Sequence, residues 1–91
     1  MANTLFNASA APAEIGSKGT TTITVTCEVS DGGPMTIGSS NGYTITTNER
    51  ILKAGQLSDT FSETITGPVG DCWLTLVFRG SSTDTVVTIT K

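Results

Sequence analysis

The sequence predicts an all-β fold in which two antiparallel sheets pack against each other as a sandwich. Apolar side chains alternate with polar ones in two separate segments, which is typical of strands that have one buried face and one wet face. The alternating apolar positions are Ile23, Val25, Cys27 and Val29 in the first segment and Cys72, Leu74, Leu76 and Phe78 in the second. No segment has the apolar period of a helix of useful length.

Length and composition fit one small folded domain. The chain has 91 residues, of which 36% are hydrophobic and 14% are charged, so it has enough apolar material for a core and too little charge for a disordered chain. A net charge of −3 with five basic residues offers no basic stripe to phosphates, and nucleic acid is not an expected partner. No apolar run reaches the ~18 residues of a membrane span, and the N-terminus has no secretory signal pattern, so we expect neither membrane association nor a leader.

The chain divides into an N-terminal arm and a domain. Residues 1–18 are rich in Ala and Ser, contain Pro12 and have no sustained period, which predicts a flexible arm that leads into an edge strand. Residues 19–91 then form the sandwich, with about seven strands.

Turn sequences separate the strands of the domain. The first strand covers 20–30 and ends at Asp31-Gly32-Gly33-Pro34, a dense turn signal. Asn41-Gly42 favours a hairpin between strands at 35–37 and 43–47. The later strands are predicted at 51–52, 57–65, 72–79 and 83–91, with a further turn at Gly67-Pro68-Val69-Gly70.

The last two strands can be paired through a turn at 80–83, which fixes a register. This register sets Arg79 opposite Asp84, Val77 opposite Val86, Leu76 opposite Val87 and Leu74 opposite Ile89. Opposite charges would then meet on the wet face and aliphatic side chains in the core.

An outward apolar group on this hairpin is the candidate interface. Trp73, Val77 and Val86 share the outward face in the predicted register, and Trp is enriched where a partner removes a surface from water. The alternative is that Trp73 is an ordinary exposed aromatic residue, or that the arm covers it.

The two cysteines have two interpretations. Both are predicted to point inward from well-separated strands, and we expect Cys27 and Cys72 to lie within bonding reach inside the sandwich, whatever their redox state. They could then form a disulfide across the core. They could equally remain two reduced thiols that act as small hydrophobic residues.

Catalytic, cofactor and metal sites are not expected. The chain has no histidine, which removes the common triads and histidine-bound metals. Asp59 and Glu63 have same-face spacing, but solvated strand positions explain them. The recurring Thr-x-Thr pairs are explained as outward threonines on wet sheet faces. We therefore predict that the protein is not an enzyme.

The order of these elements resembles the small immunoglobulin-like modules of bacterial surface proteins and tailed-phage structural proteins. The resemblance covers roughly residues 12–91 and depends on the strand 19–26, on Leu52-Lys53-Ala54-Gly55-Gln56-Leu57, and on the turn 67–70 before the final hairpin. One departure from antibody domains is that the only Trp follows Cys72 directly, whereas antibody domains have it on a strand between the cysteines.

The resemblance implies an immunoglobulin-like sandwich that serves attachment. Phage modules of this kind decorate capsids or tails, so the expected function is a virion decoration protein that binds the major capsid protein, made in the host cytoplasm. Self-association on the virion is left open. The alternative is an extracellular bacterial adhesion or carbohydrate-binding module.

Overall fold

The computed structural model describes residues 6–27, 31–78 and 80–91, and these form a β-sandwich. Strands alternate inward and outward side chains along most of their length, as the sequence predicted. The nine strands of the described residues are β1 (Phe6–Ala11), β2 (Glu14–Gly16), β3 (Gly19–Cys27), β4 (Gly33–Ser39), β5 (Thr44–Ile45), β6 (Glu49–Leu52), β7 (Ser58–Thr66), β8 (Gly70–Phe78) and β9 (Ser81–Thr90). The predicted all-β sandwich is confirmed, with two more strands than expected.

The strands form a four-stranded sheet and a five-stranded sheet. Their orders are β1-β3-β7-β5 and β2-β9-β8-β4-β6. All pairs are antiparallel except β2 with β9, which is parallel. β1, β3 and β7 thus lie in one sheet, and β4, β8 and β9 lie in the other.

The core lies between the two sheets and is built by the alternating strands. β3 contributes Ile23 and Val25, and β8 contributes Leu74, Leu76 and Phe78, all of them nearly or fully buried. Burial of such side chains stabilises the fold by about 1.5–3 kcal/mol each. The other buried hydrophobic residues are Ile15, Cys27, Met35, Ile37, Ile45, Leu52, Phe61, Ile65, Cys72, Val87 and Ile89.

The predicted arm is the first correction. Residues 6–11 pair with β3 in the four-stranded sheet, and residues 14–16 pair with β9 in the other sheet. The chain changes sheets at Pro12, which has no amide hydrogen to donate to a strand neighbour. Edge strands can form with few large apolar side chains. Here backbone hydrogen bonds hold the strand, and the small side chains of Ala8 and Ala10 pack against the core. The boundary at residue 18 is therefore wrong for the described part of 1–18.

The predicted hairpin register is also wrong. β8 pairs with β9 so that Trp73 lies opposite Val86, and the strands are joined by a tighter turn than expected. Cys72 lies opposite Val87, while Val77 lies opposite Ser82. The observed register differs from the predicted one by four residues, an even number, so each side chain keeps its predicted face. Arg79, for which a partner was predicted, lies outside the described residues.

The Asn41-Gly42 turn does not make the expected hairpin. Gly42 has the positive φ of such a turn, 94°, but β5 pairs with β7 in the opposite sheet rather than with β4. The chain crosses between the sheets here, and the turn serves that crossing.

The two cysteines do not pair. Both are buried free thiols, and they occupy different ends of the sandwich. β3 begins at Gly19 opposite Ile65, close to where β8 starts, so β3 and β8 begin at the same end. Cys72 is near the start of β8, whereas Cys27 ends β3. The separation along the strands is roughly 15–20 Å, and a disulfide needs Cα atoms within about 7 Å.

Candidate functional site

The candidate site is the outer surface of the five-stranded sheet, around the predicted interface residue Trp73. We call this surface the Trp73 face. It is made by the outward side chains of β8, which are Asp71, Trp73, Thr75 and Val77, and by their outward neighbours on β2, β4, β6 and β9. Because side chains alternate along β8, the residues between these four point into the core.

Trp73 is half exposed, at 50% of its surface, on a well-anchored stretch of backbone. Its amide nitrogen donates a hydrogen bond to the Ser40 hydroxyl at 3.1 Å, and the Ser40 amide donates to the Trp73 carbonyl at 3.0 Å. These bonds extend the pairing of β8 past the end of β4. The indole is therefore presented by a fixed strand rather than by a loop.

The three predicted interface residues share this face but are not one contiguous group. Val86 lies directly opposite Trp73 on β9. Val77 is 40% exposed, but it is four residues along β8, about 13 Å away. Thr75 stands between the two, with Asp84 opposite it. The apolar centre is thus the Trp73–Val86 pair, and Val77 is a second, separate apolar position.

Open space lies beside Trp73 on the β4 side. Gly38 pairs with Thr75 and so stands diagonally next to Trp73 on the same face. A Cβ added to Gly38 would meet no atom within 4 Å. A partner side chain can therefore approach the edge of the indole over this glycine.

Three acidic residues lie around the apolar centre, and a fourth lies further along the same face. Below it, Asp71 accepts a hydrogen bond of 2.9 Å from the Thr88 hydroxyl, and Glu14 pairs with Thr88 from the other side. Above it stands Asp84, opposite Thr75. Glu49 is further away: it pairs with Thr36 at the level of Val77, roughly 16 Å from Trp73. Four of the seven acidic residues that the structure describes are on this face, and no basic residue within the described ranges is.

A tyrosine that the sequence analysis did not single out holds the loop before β8. The Tyr43 hydroxyl donates a hydrogen bond of 2.9 Å to the Pro68 carbonyl. The ring packs so closely on Gly67 that a Cβ there would overlap ring carbon Cδ1. The loop carries Val69, 65% exposed, next to the Trp73 face. The glycine and proline of the turn are visible in the sequence as a turn signal. Tyr43, which packs against this turn, lies 24 residues before Gly67, so the sequence does not connect the two.

The opposite surface of the sandwich is chemically different. The outward residues of β3 are threonines, and they pair with outward serines and threonines of β7. The described outward residues of these two strands are Thr20, Thr22, Thr24, Thr26, Ser58, Thr60, Ser62 and Thr64. None is charged. The prediction of threonines on wet faces holds on these strands, and none of these eight described outward residues is a large apolar one that would mark a contact.

The two carboxylates considered for catalysis, Asp59 and Glu63, lie in different environments. Asp59 is held by Arg50 through hydrogen bonds of 2.8 and 3.0 Å, and the Arg50 guanidinium lies 5.4 Å from the centre of the Phe61 ring. The Arg50, Asp59 and Phe61 side chains together cover the edge of the core. An open depression beside it is lined by Arg50, Lys53 and Gln56, but the charge of Arg50 is already neutralised there.

Glu63 is buried, and the prediction of a solvated position is wrong. It points into the core, where its Oε1 accepts a hydrogen bond from the Thr47 amide at 2.7 Å and a longer one from the Thr46 hydroxyl at 3.3 Å. Oε2 has no partner. Burial raises the pKa of Glu63, and the hydrogen bonds only partly oppose this. Burial likewise raises the pKa of both thiols, which keeps them protonated and unreactive.

Comparisons with known proteins add no relative. Neither the models of known protein families nor the characterised proteins contain a match to this chain.

Within the described ranges no three side chains of the metal-ligating types His, Cys, Asp and Glu are grouped to hold an ion. That part of the chain also has no helix with the length and apolarity to cross a membrane.

Proposed function

We propose that this protein is a non-enzymatic attachment module whose Trp73 face binds another protein, and that it decorates the outside of a phage capsid through the major capsid protein. The observation that carries the proposal is Trp73 itself. It is the only Trp of the chain, yet half of its surface is in water on a rigid strand, opposite Val86.

The energetics of exposed aromatic residues support this use. An exposed Trp side chain has an unfavourable hydration free energy, which burial in the fold would have removed. In interfaces, a few large aromatic residues carry most of the binding free energy. The strand anchoring by Ser40 also matters, because a side chain on a fixed backbone loses less conformational entropy on binding. The choice of a capsid as partner follows from the resemblance to phage modules.

The test uses capsid shells assembled from the major capsid protein encoded in the same genome. Trp73→Ala is expected to weaken binding to these shells by about 2 kcal/mol or more, as loss of a hot-spot aromatic residue does. The matched control is Leu57→Ala, because Leu57 is 49% exposed but lies in the loop between β6 and β7, away from the Trp73 face. Circular dichroism of both variants verifies that they are folded.

A second candidate function is carbohydrate binding by an extracellular module. It is favoured by the carboxylates of Asp71 and Asp84 on either side of Trp73, because sugars stack on aromatic rings and offer hydroxyls to acidic oxygens. Binding to an oligosaccharide panel that Trp73→Ala abolishes, without binding to shells, would support this candidate over the first.

A further inference from the structure

The arrangement of charge on the Trp73 face identifies the chemistry of its partner. Asp71, Asp84 and Glu14 lie around the Trp73–Val86 pair on the β8, β9 and β2 sides, and Glu49 adds a fourth acid further along the same face, at the level of Val77. Of the basic side chains in the described residues, Arg50 is paired with Asp59 at the sheet edge, while Lys18 and Lys53 lie in loops and Lys91 ends the chain. None of these four neutralises the acidic ring.

A second copy of the chain is a poor partner for this face. Association of two identical faces about a two-fold axis brings the same residues together from both sides. Each protomer would then place the carboxylates of Asp71, Asp84 and Glu14 against the same three of its neighbour, around an apolar centre that is only one Trp and one Val wide. Like charges across an interface oppose binding and suppress such partners.

We infer that the Trp73 face binds a different protein, one that presents lysine or arginine side chains around an apolar centre, and that this acidic ring prevents self-association through the same face. This inference depends on the proposed function, because it describes the partner of the same surface. Rim charges of this kind act through the rate of association and through its salt dependence more than through the final affinity.

The first test is binding of the protein to the capsid shells at two salt concentrations. Raising the salt from about 0.1 M to about 1 M shortens the Debye length from about 10 Å to about 3 Å, so the association rate is expected to fall severalfold. Purely apolar docking would not slow, because salt does not screen it.

The second test neutralises one acid on the face and one elsewhere. Asp84→Asn is expected to weaken binding by about two- to fivefold at low salt, the range of a single exposed ion pair. The matched control, Asp31→Asn, changes the net charge equally at an exposed position between β3 and β4 and should leave binding unchanged. Sedimentation equilibrium of the wild-type protein alone should show a monomer.

The outcomes separate this inference from the proposed function. If Trp73→Ala abolishes binding while salt and Asp84→Asn change nothing, the face is a docking site but its partner is not basic, and the inference falls. A wild-type dimer that Trp73→Ala converts to a monomer also overturns it. If Trp73→Ala binds normally, the proposed function itself fails.

Discussion

Glu63 shows how one buried side chain sets the pH dependence of the fold. It is fully buried, with one carboxylate oxygen unpaired, and no cation among the described residues acts on its pKa. Thr21 lies opposite it on β3, and the Cys72 thiol faces it from the other sheet, where the Glu63 charge helps to raise the pKa of that thiol. The cost of burying its ionised form is therefore compensated only in part, by the hydrogen bonds to Oε1.

The sign of the effect follows from the raised pKa. Because the folded state holds the Glu63 proton more tightly than the unfolded state, Glu63 favours folding most at pH below its unfolded pKa. This contribution is lost as the pH rises from there through the raised folded pKa. We expect the free energy of unfolding to fall over that interval, and Glu63→Gln to remove most of the slope.

Urea unfolding at a series of pH values measures this. At a pH above the raised pKa of Glu63, the Glu63→Gln variant should be more stable than the wild type by about 1 kcal/mol or more, because it buries no charge. Asp84→Asn, at an exposed position, is the control and should keep the wild-type slope. A Glu63→Gln variant with an unchanged slope would contradict this assignment.

Two glycines distinguish close packing from open surface. Gly67→Ala should lower the free energy of unfolding by about 1–3 kcal/mol, the cost of forcing a methyl group into a filled site, because the Cβ overlaps the Tyr43 ring. Gly38→Ala is the matched control, since its Cβ meets nothing within 4 Å, and it should cost little. Thermal unfolding of both variants gives the comparison, and equal stabilities would mean that Tyr43 does not hold the loop.

At the scale of elements, face was easier to predict than pairing. The alternation in β3 and β8 identified which side chains point inward, because a strand has a strict period of two. Register depends on turn geometry, and the sequence Arg79-Gly80-Ser81-Ser82 allows more than one turn length. The observed register differs from the predicted one by four residues. Because four is even, Trp73, Val77 and Val86 still point outward, but each has a different cross-strand neighbour.

The cysteines and the N-terminal segment were missed for related reasons. Inward direction alone does not bring two residues together, because position along the strand also decides the distance. The predicted strands already placed Cys27 late in one strand and Cys72 first in another. The segment 6–16 lacks the apolar alternation of a core strand because edge strands are held mainly by backbone hydrogen bonds.

Hydrogen exchange tests the position of β1. In the structure β1 pairs with β3 over its whole length, so alternate amides of residues 6–11 donate to a strand neighbour. We expect these amides to exchange at least about tenfold more slowly than in an unfolded peptide of the same sequence. Exchange at the unfolded rate would restore the predicted arm, with strand formation awaiting a partner.

The whole molecule has two sheet surfaces of opposite character. The four-stranded sheet presents hydroxyl groups without charge on β3 and β7, whereas the five-stranded sheet presents Trp73 and Val86 inside an acidic ring. Both sheets share the same core, so the fold does not require this difference. The difference supports our proposal that the Trp73 face is the attachment surface and that the threonines face the solvent in the bound module.

The most direct measurement of the central claim uses Trp73 as its own reporter. Because the chain has one Trp, the protein labelled with 5-fluorotryptophan gives a single fluorine resonance in the folded state. On addition of capsid shells we predict that this resonance shifts or broadens and that a paramagnetic quencher in the solvent no longer reaches it. Binding to the shells that leaves the resonance and its accessibility to the quencher unchanged would contradict attachment through the Trp73 face.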